Sequence, residues 1–332
     1  MHRKDSGEEF APRQGETAGG NKMKKIVLII PFFGKFNSYY NLWLKSCEYN
    51  DTIDWLIFTD QKGKISSKNN IKVVELSFSK FKSFLQSHFD FKISLDIPYK
   101  LCDFKPAYGE ILQSYITDYD FWGYCDMDVI FGDIRKFITD EILNSFDKVL
   151  KHGHFTLIRN DKESNAFYKI EVPGKHNYKE VFSSPAIYAF DEWGGVSVFL
   201  ELCGIKQYYA MIYADVNYCY DFFQVLHVDI GYTPQVFIWN RGRLFRKYYF
   251  EGKVLEQEFM YIHLQKRNMK VEFSLDDMEH YFLIGPHRFF IEPYEQYQQH
   301  DLARINLFRM YHKKWLYDMF LDKIKSRIRG RK

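Results

Sequence analysis

Apolar and polar positions set out the first elements of the chain. Eight consecutive apolar residues run from Ile26 to Phe33, within KKIVLIIPFFG. They read as a strand buried on both faces, as in a parallel sheet covered by helices. Gly34 and Asn37 break the run, and Tyr40, Trp43, Leu44 and Cys47 then recur at helical spacing, so a helix is expected over Tyr39 to Tyr49. Ile53 to Asp60 (IDWLIFTD) predicts a second strand, Lys64 to Asn70 a polar turn, and IKVVEL from Ile71 a third strand. This β-α-β-β alternation opens a Rossmann-like α/β layer, in which ligands bind at the carboxyl ends of the strands.

Further along, Asp103 is a candidate N-cap with Pro106 near the first turn, predicting a helix towards Asp118. The short aromatic strand Phe121 to Cys125 then runs into Asp126-Met127-Asp128, and Ile134 to Leu150 has helical spacing. The middle third, Phe155 to Val225, is less regular and holds the tight pair Gly194-Gly195. Short strands are expected through Tyr249, with a hairpin turn at Gly252, before FMYIHLQKRNMKV closes the core. No internal repeat is visible.

Composition changes this picture in a few places. The chain has 332 residues, 46% hydrophobic and 27% charged, a globular balance that excludes disordered, collagenous and coiled-coil classes. Thirty-two Phe and 25 Tyr are the one strong deviation, and suit either an AT-rich genome or aromatic-lined carbohydrate surfaces. A net charge of +3 gives no reason to expect a nucleic-acid partner. The positive charge is concentrated after Ala303, where ten Lys or Arg face Asp318 and Asp322. Five scattered cysteines without a C-x-x-C pair argue against a zinc knuckle or a disulfide framework and point to a reducing cytoplasm. The run Ile26 to Phe33 is too short for a membrane span, which needs about 20 residues. Residues 1–22 hold four glycines and no periodicity, and read as an expression leader or disordered arm before a natural start at Met23.

The chemistry is carried first by YCDMDVIFGD. A strand delivering two acids separated by one residue places both at a strand-end turn, where their carboxylates can converge on a hard divalent cation. Such a cation would pair with a diphosphate. KLCDFKPAYGEI, FWGYCDMDVIFGDI, the segment DEWGG and YIHLQKRNM occur in that order across roughly Met23 to Lys270, and together resemble bacterial GT-A glycosyltransferases that build capsular polysaccharide and lipopolysaccharide O-antigen. The resemblance implies a GT-A fold, a Rossmann-like nucleotide-sugar-binding sheet flanked by helices. It further implies Mn2+ or Mg2+ at the D-x-D and, through it, the diphosphate of a nucleotide sugar, usually UDP-linked. Asp128 would be a direct metal ligand, and Asp126 would face the ribose and the metal shell. His263 in YIHLQKR would return as a further ligand, which suits imidazole beside carboxylates. Lys266 and Arg267 would then lie near the leaving diphosphate.

Other candidates rest on position. Lys105, with Asp103 nearby, is expected to contact the donor from a helix start on the D-x-D edge, and Thr59 and Asp60 end strand two as candidates for the nucleoside. Of Asp191 and Glu192, one would deprotonate the acceptor hydroxyl, Glu192 being the choice for its longer reach. Trp193, with Gly194 and Gly195, would support the acceptor ring. At the carboxyl end Phe308, Tyr311, Trp315 and Met319, then Leu316, Phe320, Ile324 and Ile328, alternate with basic residues from Lys313 to Arg329. That segment reads as a packed final helix or as one resting on an anionic membrane surface, the latter suiting a lipid-linked acceptor.

The sequence therefore predicts a GT-A catalytic domain over 23–300 and a basic amphipathic helix over 301–332. It would be a cytoplasmic enzyme, peripheral at the inner face of the membrane, that transfers a sugar to a surface-polysaccharide acceptor. A D-x-D phosphohydrolase and a non-catalytic carbohydrate-binding protein are the competing readings.

Overall fold

The computed structural model describes residues 22–63, 68–192, 194–274 and 280–305. The leader expected over 1–22 lies outside them except for Lys22, as do Trp193 and most of the carboxyl-terminal helix. The fold is mixed α/β with a parallel-strand sheet. The chain forms two compact units, each assembled from separated stretches. Unit one comprises residues up to 35, 51–126 and 138–210, and unit two comprises 36–50, 127–137 and 211 onward.

Unit one is built on a six-stranded sheet in the order Ile71–Glu75, Ile53–Thr59, Ile26–Phe32, Phe121–Cys125, Phe155–Arg159, Lys148–His152. The first four run parallel, and Phe155–Arg159 is antiparallel to both of its neighbours, Phe121–Cys125 and Lys148–His152. The three strands expected at the amino end and the aromatic strand before the D-x-D are all present. Ile26 to Ile30 are buried without a break, which is why that segment shows no alternation. Phe32 is in register with Thr59 and Ile29 with Tyr124, so Thr59, Asp60 and Asp126 fall on one carboxyl edge of the sheet. One apolar cluster, including Val27, Phe58, Phe81, Phe104, Trp122, Phe182 and Phe199, packs this unit.

Two expected helices differ. Residues 98–116 are helical, but as a run of short segments, Pro98–Lys100, Leu101–Phe104, Lys105–Ala107, Tyr108–Ile111 and Gln113–Ile116. Pro106 lacks the N–H that a continuous helix would require there. Asp103 is accordingly not an N-cap; it lies inside one of these segments and is fully buried. Ile134 to Leu150 is not one helix either, since Ile134–Phe137 and Asp140–Ser145 are separate and the strand Lys148–His152 follows. Thr139 caps the second of these through Ile142 N, stopping the first before it can continue.

Unit two contains a six-stranded sheet in the order Lys253–Phe259, Arg243–Phe250, Gln235–Asn240, Tyr281–Ile284, Arg288–Phe290, Lys270–Val271. The hairpin at Gly252 is there: Phe250 pairs with Lys253, and Glu251 and Gly252 both have positive φ, 46° and 82°. A second, three-stranded sheet joins Val129–Phe131, Tyr261–His263 and Ala214–Asp215. Helix Tyr40–Glu48 supports it, with Ser46 Oγ accepting from Phe131 N at 3.1 Å. Gly132 is required here, because a Cβ would press on Phe259 O and Leu244 N.

Candidate functional site

The three-stranded sheet of unit two explains how residues far apart in sequence meet. His263 is paired with Val129 on one side and with Asp215 on the other. Asp128 directly precedes Val129 and its carbonyl accepts from Leu264 N at 2.8 Å, so its carboxyl is fixed beside the ring. His263 Nδ1 lies 2.9 Å from Asp215 Oδ1, and Nε2 lies 3.4 Å from Asp128 Oδ1. Gln265 Nε2 also donates to Asp215 Oδ1, at 2.7 Å. Burial disfavours the imidazolium, but the two carboxylates outweigh it and push the His263 pKa up to about 10. Asp128 Oδ1 is buried and, among the described residues, has this ion pair with His263 but no well-formed hydrogen bond.

A buried carboxylate oxygen facing an imidazole nitrogen is a donor set a divalent cation would complete, and Asp128 and His263 offer ligand atoms within 4.8 Å of each other. Asp215 then stands where a carboxylate holds the other ring nitrogen of a ligating histidine. Sequence reasoning missed Asp215, which sits in the unremarkable stretch YADVN; only strand register brings it to His263.

Unit one gathers a second set of groups. Lys105 Nζ lies 2.7 Å from Asp126 Oδ1 and 2.9 Å from Asp191 Oδ2, and donates to Gly153 O at 3.0 Å. Burial opposes the Lys105 charge, yet Asp126 and Asp191 together hold its pKa well above the ordinary lysine value. Asp191 is itself buried, which raises its pKa to about 6 against the pull of Lys105. Glu192 is more open, with Oε1 accepting from Gly153 N at 3.1 Å. Gly153 permits this packing, since a Cβ there would collide with the Asp191 carboxylate. Of the two acids of the D-x-D, Asp126 is paired with Lys105 and Asp128 faces His263.

The remaining candidates divide. Asp60 is exposed on the sheet edge and accepts from Gly34 N at 3.1 Å, a bond that lowers its pKa and anchors the Gly34 turn. Thr59 is buried, its hydroxyl accepting from Gln61 N at 3.2 Å. Gly194 and Gly195 form a turn too tight for a side chain, a Cβ meeting Tyr188 O or Phe190 O. Two expectations are corrected. Asp103, 0% exposed, presents no surface to a nucleotide sugar; it pairs with Lys100 at 2.7 Å and accepts from Tyr188 N and Phe190 N. Lys100 also donates to Val181 O at 2.9 Å and to Ala186 O, so the buried pair fastens the segment leading to Asp191. Arg267, also buried, spends its guanidinium on main-chain carbonyls instead of a diphosphate. Lys266 lies over the Tyr218 ring, 5.8 Å from its centroid.

Among solved structures, the galactosyltransferase LgtC in complex with donor and acceptor sugar analogs is 12% identical, with a TM-score of 0.34, covering 57% of this chain and 75% of that one. An active-site mutant of LgtC is 13% identical, with a TM-score of 0.32, over 57% and 74%. Likenesses this low do not bear on activity. No curated protein matches the sequence. Residues 28–293 match the model of DUF6625, a family of unknown function, and the chain belongs to that family.

Proposed function

We propose that the protein is a metal-dependent GT-A glycosyltransferase that moves a sugar from a nucleotide sugar, UDP-linked, to a bacterial surface-polysaccharide acceptor. The observation that carries this reading is the Asp128–His263–Asp215 arrangement at the D-x-D. Asp128 and His263 Nε2 would hold Mn2+ or Mg2+, with Asp215 keeping the proton on Nδ1. The bound ion would supply Lewis-acid stabilisation of the leaving diphosphate.

The chain's own groups do the rest. Asp60 and Asp126 sit on the sheet edge where the nucleoside end of a donor binds such folds, and Lys105 holds Asp126 in place. Glu192 is the base for the acceptor hydroxyl, because Asp191 is buried against Lys105 and serves to orient that lysine. The basic segment after Lys313 would bring the enzyme to the inner face of the membrane, where a lipid-linked acceptor resides.

A thermal-shift panel of nucleotide sugars with and without Mn2+ tests the reading. A donor at a hundredfold excess over its Kd stabilises by about 2.7 kcal/mol, so one nucleotide sugar should stand out only with metal present. Stabilisation by none of them, or equally with chelator, would contradict it.

A further inference from the structure

Beyond Asp215 the chain enters an aromatic segment that the reaction proposed above does not use. Val216 N donates to His263 O at 3.2 Å, and Asn217 to Phe223 follow directly. The Tyr220 and Phe222 rings stack with centroids 4.9 Å apart, and Phe222 meets the Tyr232 ring edge-on, also at 4.9 Å. Tyr218 is 37% exposed and Tyr232 is 56% exposed. A run of neighbouring rings reaching solvent is the kind of surface that marks a binding site.

Arg267 fixes this surface from beneath. Its Nη2 donates to Asn217 O at 2.6 Å and to Tyr220 O and Phe222 O at 2.8 Å each, while Nη1 donates to Pro286 O at 3.1 Å. Nε of this buried guanidinium has no partner among the described residues, and the bonds from Nη1 and Nη2, which reach carbonyls on both sides of Tyr218, are what hold the loop in one shape. A preformed loop loses little freedom when a ligand docks.

We infer that Tyr218, Tyr220, Phe222 and Tyr232 form a platform for the sugar rings of the acceptor glycan, in the unit that carries Asp128 and His263. The inference rests on the glycosyltransferase reading for the identity of that glycan. Pyranose rings present C–H faces that pack on aromatic rings as other apolar groups do, while tyrosine hydroxyls meet the sugar hydroxyls. The Tyr220, Phe222 and Tyr232 rings in succession make an extended surface, which fits consecutive sugars better than a single nucleobase.

The test applies the full chain and its Tyr232→Ala, Tyr218→Ala and Tyr232→Phe variants to an array of bacterial surface oligosaccharides, and measures UDP binding with Mn2+ in parallel. The parent should retain at least one oligosaccharide. Each alanine variant should weaken retention by about tenfold, the scale of one well-packed aromatic contact, and Tyr232→Phe should largely restore it. UDP binding should be unchanged in all three. Retention unaffected by both alanine changes, or no retention by the parent, overturns the platform even if Mn2+-dependent UDP binding stands. Loss of UDP affinity with glycan retention intact also overturns it, by assigning the rings to the nucleobase. Glycan retention lost in the alanine variants, in a protein that binds no UDP, upholds the platform and defeats the transferase reading.

Discussion

At the scale of single residues, the account turns on which groups have partners supplied by the fold. Asp215 is the clearest case, because its carboxylate holds His263 Nδ1 at 2.9 Å. Losing such an outer partner typically costs 10- to 100-fold in metal affinity, so Asp215→Asn should weaken Mn2+ binding by about that factor in calorimetric titration without substrate. An unchanged affinity would make the contact merely structural. Lys148 poses a separate question. It is fully buried, donates to Leu150 O at 2.6 Å and Ser197 Oγ at 2.8 Å, and burial, reinforced by Lys151, lowers its pKa to about 7. At this group the unfolded chain therefore binds more protons than the native one above pH 7, a contribution that raises stability with pH from there to the ordinary lysine range. His263, whose pKa is raised to about 10, gives an opposite slope over the same range, so the test is a difference: between pH 7 and 9 the parent's slope should exceed that of Lys148→Met by up to about 1.4 kcal/mol per pH unit in chemical unfolding. Equal slopes in the two proteins would show that Lys148 stays charged.

At the scale of elements, strands were more legible than helices. The segments Ile26–Phe32, Ile53–Thr59, Ile71–Glu75 and Phe121–Cys125 are short β-rich runs whose continuous burial leaves one reading, and Gly252 marked its hairpin because that turn needs positive φ. The stretch after Asp103 is helical as its apolar spacing indicated, but it is segmented around Pro106 and begins before Asp103, which buried Lys100 holds inside a helical segment instead of at its cap. A lysine three residues before an aspartate reads as an exposed pair, yet this one is sealed in and joins the Pro98–Lys100 turn to residues 181–190. Breaking a buried pair by removing one partner costs about 3–5 kcal/mol, somewhat less where backbone donors remain. Lys100→Met should accordingly lower stability by roughly 3 kcal/mol in denaturant unfolding. A midpoint within a few tenths of a molar of the parent's would show that the staple contributes little.

At the scale of the molecule, the sheet of unit one was readable because three of its parallel strands lie within Ile26 to Glu75 and the fourth, Phe121–Cys125, is marked by its own apolar run. Unit two was not, since it is assembled from residues 36–50, 127–137 and 211 onward and no local pattern announces that partnership. The D-x-D and His263 were found from motif order, whereas Asp215, Lys100 and Gly153 depend on register and close approach that periodicity does not encode. No helix among the described residues is long and apolar enough to cross a membrane, and the basic segment lies outside them. If that segment attaches the enzyme to anionic lipid, deletion from Lys313 should abolish salt-sensitive sedimentation with anionic liposomes and leave UDP binding intact. Equal sedimentation of the truncated chain would remove the surface role.

The proposed chemistry also separates acceptor from donor steps. Glu192→Gln should bind UDP normally and turn over about 10² to 10⁴ more slowly, the usual loss for a positioned base. Parental turnover in that variant would point to a mechanism without this base. The most direct measurement, however, is calorimetric titration of UDP into the parent and into Asp128→Ala, each with Mn2+ and with chelator. The account predicts binding by the parent only when Mn2+ is present, and none by Asp128→Ala although its circular dichroism and melting remain native. Metal-independent UDP binding by the parent, or the same Mn2+-dependent affinity in both proteins, would contradict it.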